Sequence, residues 1–188
     1  GKSLDVDFRP PSSGGTVGPF YTAMVTAFHY ALDNLEDLFP QYSEIGSYDI
    51  AGFAWFQGYD DGETEEASSH YQTNLVNLIK DVRAEFRAPD MKVAVGVSGM
   101  YGVIRRKPKR KAVIYAQFSV SRLYANFKGN VATVETRHFY RQPYPESPSK
   151  RGFHWNDNAE SYWLIGQSMA RAFECMFIGG QDDCNQYE

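Results

Sequence analysis

The chain has 188 residues, of which 43% are hydrophobic, 22% charged and 15% aromatic, and its net charge is −4. This composition is typical of one globular domain, here residues 1–188, and excludes collagen, coiled coils and disordered chains. The mild acidity gives no overall attraction to phosphate backbones, so we expect no nucleic-acid partner. The apolar stretches are short and interrupted by polar residues, so we also expect no membrane span.

The amino-terminal residues read Gly-Lys-Ser-Leu-Asp-Val-Asp-Phe, without an initiator methionine and without the basic and apolar regions of a signal peptide. We therefore expect that a further segment precedes residue 1 in the gene. Residues 1–18 are rich in proline, serine and glycine. They are predicted to form a structured loop rather than a helix or a central strand.

Helical and strand-like patterns then alternate along the chain. Helical spacing of apolar residues runs from Pro19 to a stop at Pro40, and again over 69–86 and 158–177. Short, nearly continuous apolar runs predict buried strands at 48–56, 91–97 and 131–136.

The stretch 111–127 fits either type of element, and its length and spacing favour a helix. Strands that alternate with helices are typical of an α/β protein with right-handed crossovers. The predicted fold is a three-layer α/β/α sandwich with a mostly parallel sheet.

Two cysteines, Cys175 and Cys184, flank a Gly-Gly-Gln-Asp-Asp turn near the carboxyl terminus. This spacing lets the chain double back, so we predict a disulfide, with two free thiols as the alternative. A disulfide would indicate a secreted, extracellular or periplasmic protein.

In a parallel sheet, loops at the carboxyl ends of the strands converge on one crevice, and the chemistry is expected there. The loops concerned are 57–62, 98–102 and 137–156. His154 is the most suggestive residue, because it precedes a predicted helix, lies between two aromatic residues, and carries an imidazole, the side chain best suited to act as a base at neutral pH. The alternative for a single histidine beside aromatic residues is a structural role.

Four segments in a fixed order carry a resemblance to a known family: WFQGYDDG at 55–62, VAVGVSG at 93–99, VATVET at 131–136 and GFHWNDNAESYWLIG at 152–166. Together they resemble the sialate O-acetylesterase-like branch of the SGNH hydrolases, which also includes acetylxylan esterases of carbohydrate esterase family six. The resemblance covers almost the whole chain. It implies an α/β/α serine hydrolase that removes acetyl groups from carbohydrate hydroxyls. We expect no cofactor, and we expect no metal because the spacing of the acidic run at 60–66 fits no standard cation-binding loop.

The resemblance also implies roles for individual residues. His154 matches the family's catalytic base, and Gln57 matches the side-chain amide that donates a hydrogen bond to the oxyanion. Gly1 matches the glycine whose N–H completes the oxyanion hole. Asp60 and Asp61 match acidic positions that are expected to bind substrate at the rim of the pocket.

The nucleophile of the family lies in a Gly-Gln-Ser-Asn-like segment at the first strand, and residues 1–188 contain no equivalent. We expect the first strand and its serine to come from a preceding segment or a separate chain. Ser168 lies in a similar Gly-Gln-Ser run, but this run is inside the last predicted helix. Ser98 lacks the strand-to-helix turn of a nucleophile, so both serines are expected to be structural.

A second departure concerns the acid that orients the histidine. The family commonly places it three residues before the histidine, where this chain has Arg151. Glu146 and Asp157 are the alternatives, although Asp157 also suits an amino-terminal helix cap.

Two functions therefore remain at this point. The first is a secreted carbohydrate O-acetylesterase whose serine lies upstream of Gly1. The second is a non-catalytic structural or glycan-binding module derived from the same fold, in an extracellular assembly. A Gly-Gln-Ser segment upstream of Gly1 would favour the esterase.

Overall fold

The computed structural model describes residues 1–42, 47–99, 101–103, 107–179 and 184–185. Its strands are β1 (Gly52–Trp55), β2 (Lys92–Gly96) and β3 (Val131–Val134). Its α-helices are α1 (Pro19–Asp33), α2 (Leu35–Leu38), α3 (Glu65–Glu85), α4 (Pro108–Leu123) and α5 (Ala159–Ile178). Among the described residues, no helix combines the length and the apolar character that a membrane crossing requires.

The strands form one sheet in the order β1-β2-β3, and both neighbouring pairs are parallel. Ala54 pairs with Ala94, which pairs in turn with Ala132. The predicted parallel sheet is therefore confirmed, with β2 between β1 and β3.

Helices cover both faces of the sheet, which confirms the three-layer sandwich. Helix α3 connects β1 to β2 and helix α4 connects β2 to β3, so both connections cross the sheet in the same direction. Right-handed crossovers therefore place both helices on the same face. Their apolar residues, such as Leu75 and Val120, pack there against Val93 and Val95 of β2. Helix α5 follows the last strand and packs on the opposite face.

The predicted elements differ from the observed ones mainly at their ends. Helix α3 begins at Glu65 rather than Ser69, because the Thr64 hydroxyl caps it by accepting a hydrogen bond from the Ala67 N–H at 3.2 Å. The ambiguous stretch 111–127 is helical, but α4 ends at Leu123 and a 3₁₀ turn follows at Ala125–Phe127.

The loop at 1–18 is structured, as predicted, because α3 holds it. Leu4 is fully buried in the core on the α3 side of the sheet. Farther along the loop, Ser12 donates hydrogen bonds to the Asp81 carboxylate from its N–H at 2.8 Å and from its hydroxyl at 2.5 Å. The Asn77 side chain donates to the Ser13 hydroxyl at 3.1 Å.

The two edges of the sheet differ. At the β3 edge, the side-chain oxygen of Asn185 accepts hydrogen bonds from the Thr133 N–H at 2.6 Å and the Ser121 hydroxyl at 2.8 Å. The predicted disulfide between Cys175 and Cys184 is present and holds this segment against α5. At the β1 edge, Gly52 and Ala54 are exposed, and no other described strand pairs there.

We predict that the double variant Cys175→Ala/Cys184→Ala has a free energy of unfolding about 2–3 kcal/mol below that of the wild type, because the disulfide closes a loop with a sequence separation of 9. Urea denaturation would measure this. A reductant should lower the free energy of unfolding of the wild type to that of the variant and should leave the variant's value unchanged. Equal stability of the two proteins without reductant would contradict the prediction.

Candidate active site

A cavity of about 360 Å³ lies at the carboxyl end of β1. Its walls come from three separate parts of the chain: the amino-terminal loop, the loop after β1 and the turn before α5. The lining residues are Gly1, Lys2, Gln57, Gly58, Tyr59, Asp60, Phe153 and His154. The tertiary structure thus brings Gly1, Gln57 and His154 to one crevice.

The turn at Gln57 and Gly58 is fixed by a buried polar network. The Gln57 carbonyl accepts hydrogen bonds from the Tyr71 hydroxyl at 2.9 Å, the Ser98 hydroxyl at 3.0 Å and the Gln117 amide at 2.8 Å. Gly58 has a φ of +144°, and a Cβ there would lie 2.2 Å from the Ser98 oxygen. The turn therefore needs glycine, and three elements of the fold position it.

Asp61 differs from the expectation that it lines the rim. It is fully buried and does not line the cavity. Its carboxylate accepts hydrogen bonds from the N–H groups of Leu4 at 2.9 Å and Asp5 at 3.0 Å, and from the Gln57 amide at 2.6 Å. Asp61 therefore positions the two loops of the site rather than contacting substrate.

Burial raises the pKa of the Asp61 carboxyl, and the hydrogen bonds from Gln57, Leu4 and Asp5 oppose this shift without cancelling it.

The Gln57 side chain faces the cavity with both amide hydrogens engaged. Its nitrogen donates to the Asp61 carboxylate at 2.6 Å and to the Lys2 carbonyl at 2.8 Å. The bond to Asp61 is partly buried, whereas the bond to Lys2 is exposed. A hydrogen bond from Gln57 to a bound ligand would have to replace the bond to Lys2.

Gly1 and Asp60 are packed together at the cavity. The Gly1 nitrogen lies 3.9 Å from an oxygen of Asp60, and a Cβ on Gly1 would lie 2.0 Å from the other oxygen. No larger residue fits at position 1 without displacing this carboxylate. The Asp60 side chain is 34% exposed, so it is accessible from the cavity.

The turn that presents His154 has an unusual backbone. Trp155, Asn156 and Asp157 all lie in the left-handed region, with φ of +53°, +53° and +56°. Such a run is strained for residues other than glycine, and surrounding contacts must hold it. Trp155 is buried, and the Asn156 amide donates to the Tyr140 hydroxyl at 2.8 Å. His154 itself is exposed at the cavity.

The orienting acid remains a prediction. Within the part of the chain that the structure describes, no hydrogen bond to the His154 ring is formed. Asp157 is close enough to interact electrostatically with His154, but its carboxylate accepts hydrogen bonds from Arg151 at 2.6 and 3.0 Å. Hydrogen bonds from Ser149 and then Arg151 lower the pKa of Asp157. Glu146 accepts a hydrogen bond from the Gln142 N–H.

Neither candidate serine of the sequence lies on the cavity wall. Ser98 is buried and donates its hydroxyl hydrogen to the Gln57 carbonyl, while Ser168 is buried inside α5. Among the described residues that line the cavity, none is a serine, threonine or cysteine.

Several residues of the site were not singled out from the sequence. Tyr59 and Phe153 line the cavity, and Tyr71 and Gln117 support its floor. The signal available for Gln117 was its position on the apolar face of a predicted helix, because a buried amide requires hydrogen-bond partners. Nothing in the spacing of Tyr59 and Phe153 indicates that they meet.

A comparison with protein families identifies the chain. The family model described as "Carbohydrate esterase, sialic acid-specific acetylesterase" matches residues 8–174. The chain belongs to this family. Searches of the curated proteins and of the solved structures returned no match.

The match to this carbohydrate esterase family includes both loops that carry Gln57 and His154, as well as all three strands. Gly1 and Lys2 lie before the matched range. The general function shown by the match is that of a carbohydrate acetylesterase.

We predict that the contribution of Asp61 to the stability of the protein falls as pH rises from the ordinary carboxyl pKa of 3.8 to the raised pKa of Asp61. Over this interval the folded state retains a proton that the unfolded state releases, so the free energy of unfolding decreases with pH. Asp61→Asn should remove this contribution. Urea denaturation of both proteins at a series of pH values would measure the difference.

The free energies of unfolding of the two proteins should be most similar at the lowest pH, where Asp61 is protonated and, like asparagine, carries no charge. If the difference in free energy of unfolding between wild type and Asp61→Asn were the same at every pH, Asp61 would not titrate in this way.

Proposed function

We propose that the chain is the larger part of a serine esterase that removes acetyl groups from carbohydrate hydroxyls, with His154 as base and Gln57 and Gly1 as oxyanion donors. The observation that carries this proposal is the convergence of these three residues on one cavity. The match to a carbohydrate esterase family supports the substrate class.

In this mechanism a serine hydroxyl attacks the carbonyl carbon of the acetyl ester, and His154 takes the hydroxyl proton. The negative charge that develops on the carbonyl oxygen accepts hydrogen bonds from Gln57 and from the Gly1 N–H. The tetrahedral intermediate collapses, the C–O bond to the sugar breaks, and His154 returns the proton to the sugar oxygen. Water then attacks the acetyl-serine in the same way, which releases acetate and restores the serine.

The serine is proposed to come from a segment outside residues 1–188, paired with the open edge of β1. A strand added parallel to β1 would bring its carboxyl end to the cavity, because Gln57 follows the carboxyl end of β1. The exposed residues Gly52 and Ala54 lie along this edge. Unpaired backbone groups at a sheet edge favour such an addition.

We also propose that the protein is secreted, extracellular or periplasmic. The Cys175–Cys184 disulfide supports this, because disulfides persist mainly in oxidising compartments.

A non-catalytic glycan-binding module is the second candidate. It is favoured by the Gln57 amide, whose hydrogens are both bound to protein acceptors, and by the His154 ring, to which no described residue forms a hydrogen bond. A Gly-Gln-Ser segment upstream of Gly1 in the gene would distinguish the esterase from this module.

We predict that His154→Ala and Gln57→Ala, each made in the full-length protein, lower kcat on an aryl acetate by about 10²–10³-fold. Loss of the base removes proton transfer, and loss of the amide removes one oxyanion hydrogen bond. Steady-state kinetics would measure both effects.

His29→Ala is the matched control, since His29 pairs with Glu85 at 2.8 Å, at the end of α3 that leads into β2 and away from the cavity. It should retain wild-type turnover. Unchanged kcat in His154→Ala would exclude His154 as the base.

We further predict that residues 1–188 alone do not hydrolyse an aryl acetate, because the described residues that line the cavity include no serine, threonine or cysteine. Activity should appear when the upstream segment is present, and replacing its serine by alanine should abolish it. Hydrolysis by residues 1–188 alone that is lost in Ser98→Ala or Ser168→Ala would show that the nucleophile has been misplaced.

A further inference from the structure

The cavity has an aromatic wall that the proposed chemistry does not use. The rings of Tyr59 and Phe153 lie side by side with centroids 5.8 Å apart and planes tilted by 47°. Phe153 is 39% exposed, and its ring lies 4.7 Å from the His154 imidazole. An apolar aromatic surface therefore lies directly beside the proposed base.

The Tyr59 ring and the backbone that carries Phe153 are both held in place. Arg110 donates a hydrogen bond to the Tyr59 hydroxyl at 2.8 Å, and its guanidinium carbon lies 4.6 Å from the centre of the Tyr59 ring. On the other side, Gly152 precedes Phe153 and lies so close to Tyr101 that a Cβ would approach that ring to 2.2 Å. A wall fixed in this way loses little conformational entropy when a ligand covers it.

An accessible carboxylate lies beside the wall. Asp60 lines the cavity with its side chain 34% exposed. Lys2 also lines the cavity, but its ammonium is paired with Asp7 at 3.0 Å, and Arg110 is paired with Glu63. The Asp60 carboxylate lies 3.9 Å from the Gly1 nitrogen, which carries no charge once a preceding segment makes it part of a peptide bond. Among the described lining residues Asp60 has no lysine or arginine partner, so in the proposed full-length protein it would repel a ligand that carries its own carboxylate.

We propose that Tyr59, Phe153 and Asp60 form a subsite for a neutral sugar. The apolar C–H face of the sugar ring packs on the two aromatic rings, and Asp60 accepts hydrogen bonds from its hydroxyl groups. This arrangement places an acetyl ester next to His154 and disfavours acidic sugars. The inference rests on the proposed function for the reaction, but sugar binding does not require catalysis.

The charge preference can be tested with the full-length protein and two matched substrates. These are a methyl glucoside carrying one acetyl ester and the corresponding glucuronide, which differs by a carboxylate at C6. We expect kcat/KM to be about tenfold higher for the glucoside, and we expect Asp60→Asn to reduce this preference. Equal or faster hydrolysis of the glucuronide would overturn the proposal.

The aromatic wall can be tested with Phe153→Ala, which should lower kcat/KM for the acetylated glucoside about 5- to 10-fold. The loss of kcat/KM for ethyl acetate, which has no sugar ring to pack on the wall, should be at least about threefold smaller than the loss for the glucoside, and equal losses for the two substrates would contradict packing of a sugar on this ring. Phe153→Leu retains apolar bulk without a flat ring and should resemble Phe153→Ala. Tyr30→Ala, at a 61% exposed position on α1, is the control for loss of a remote aromatic residue.

Binding of unacetylated methyl glucoside, measured by saturation-transfer NMR, separates the proposed sugar subsite from the proposed esterase function. If the full-length protein hydrolyses none of these acetyl esters, the proposed esterase function fails. The subsite still stands if the wild type binds the glucoside and Phe153→Ala does not. No binding to the wild type, or equal binding to both proteins, would overturn the subsite whatever the activity.

Discussion

The buried carboxylate of Asp61 is the interaction on which the candidate site depends. The amino-terminal loop brings its backbone N–H groups at Leu4 and Asp5 into the protein interior, where they need an acceptor. Asp61 provides it, and the same carboxylate binds the Gln57 side chain. The cost of burying this charge is offset only when all these donors are in place, so the two loops adopt their arrangement together.

A second polar network connects this pair of loops to the framework. Tyr71 on α3, Ser98 after β2 and Gln117 on α4 all donate to the Gln57 carbonyl. Tyr71 and Gln117 are fully buried, so the network lies within an otherwise apolar layer. Such a network restricts the packing of α3 and α4 to the arrangement that satisfies every donor. The backbone of Gln57 is thereby placed by the whole α3–α4 side of the sheet.

The opposite face of the sheet is built differently and explains the position of His154. Small residues, Ala94 and Ala132, face α5 and allow it to approach the sheet closely. Trp155 fills the space at the start of α5, and a Cβ on Gly99 would lie 2.4 Å from its ring. Because Trp155 is anchored in this way, the preceding residue is turned outward. His154 therefore reaches the cavity from the α5 layer, whereas Gln57 reaches it from the sheet.

The sequence by itself determined the class of fold, because the periods of its apolar residues distinguish buried strands from amphipathic helices. The alternation of these patterns was enough to predict a parallel sheet, and the short spacing of Cys175 and Cys184 was enough to predict their disulfide. The tertiary structure decided the environment of each polar side chain. Asp60 and Asp61 are adjacent and chemically identical, yet one faces the cavity and the other is fully buried. The meeting of Tyr59 with Phe153 likewise depends on packing between distant segments, which no local pattern encodes.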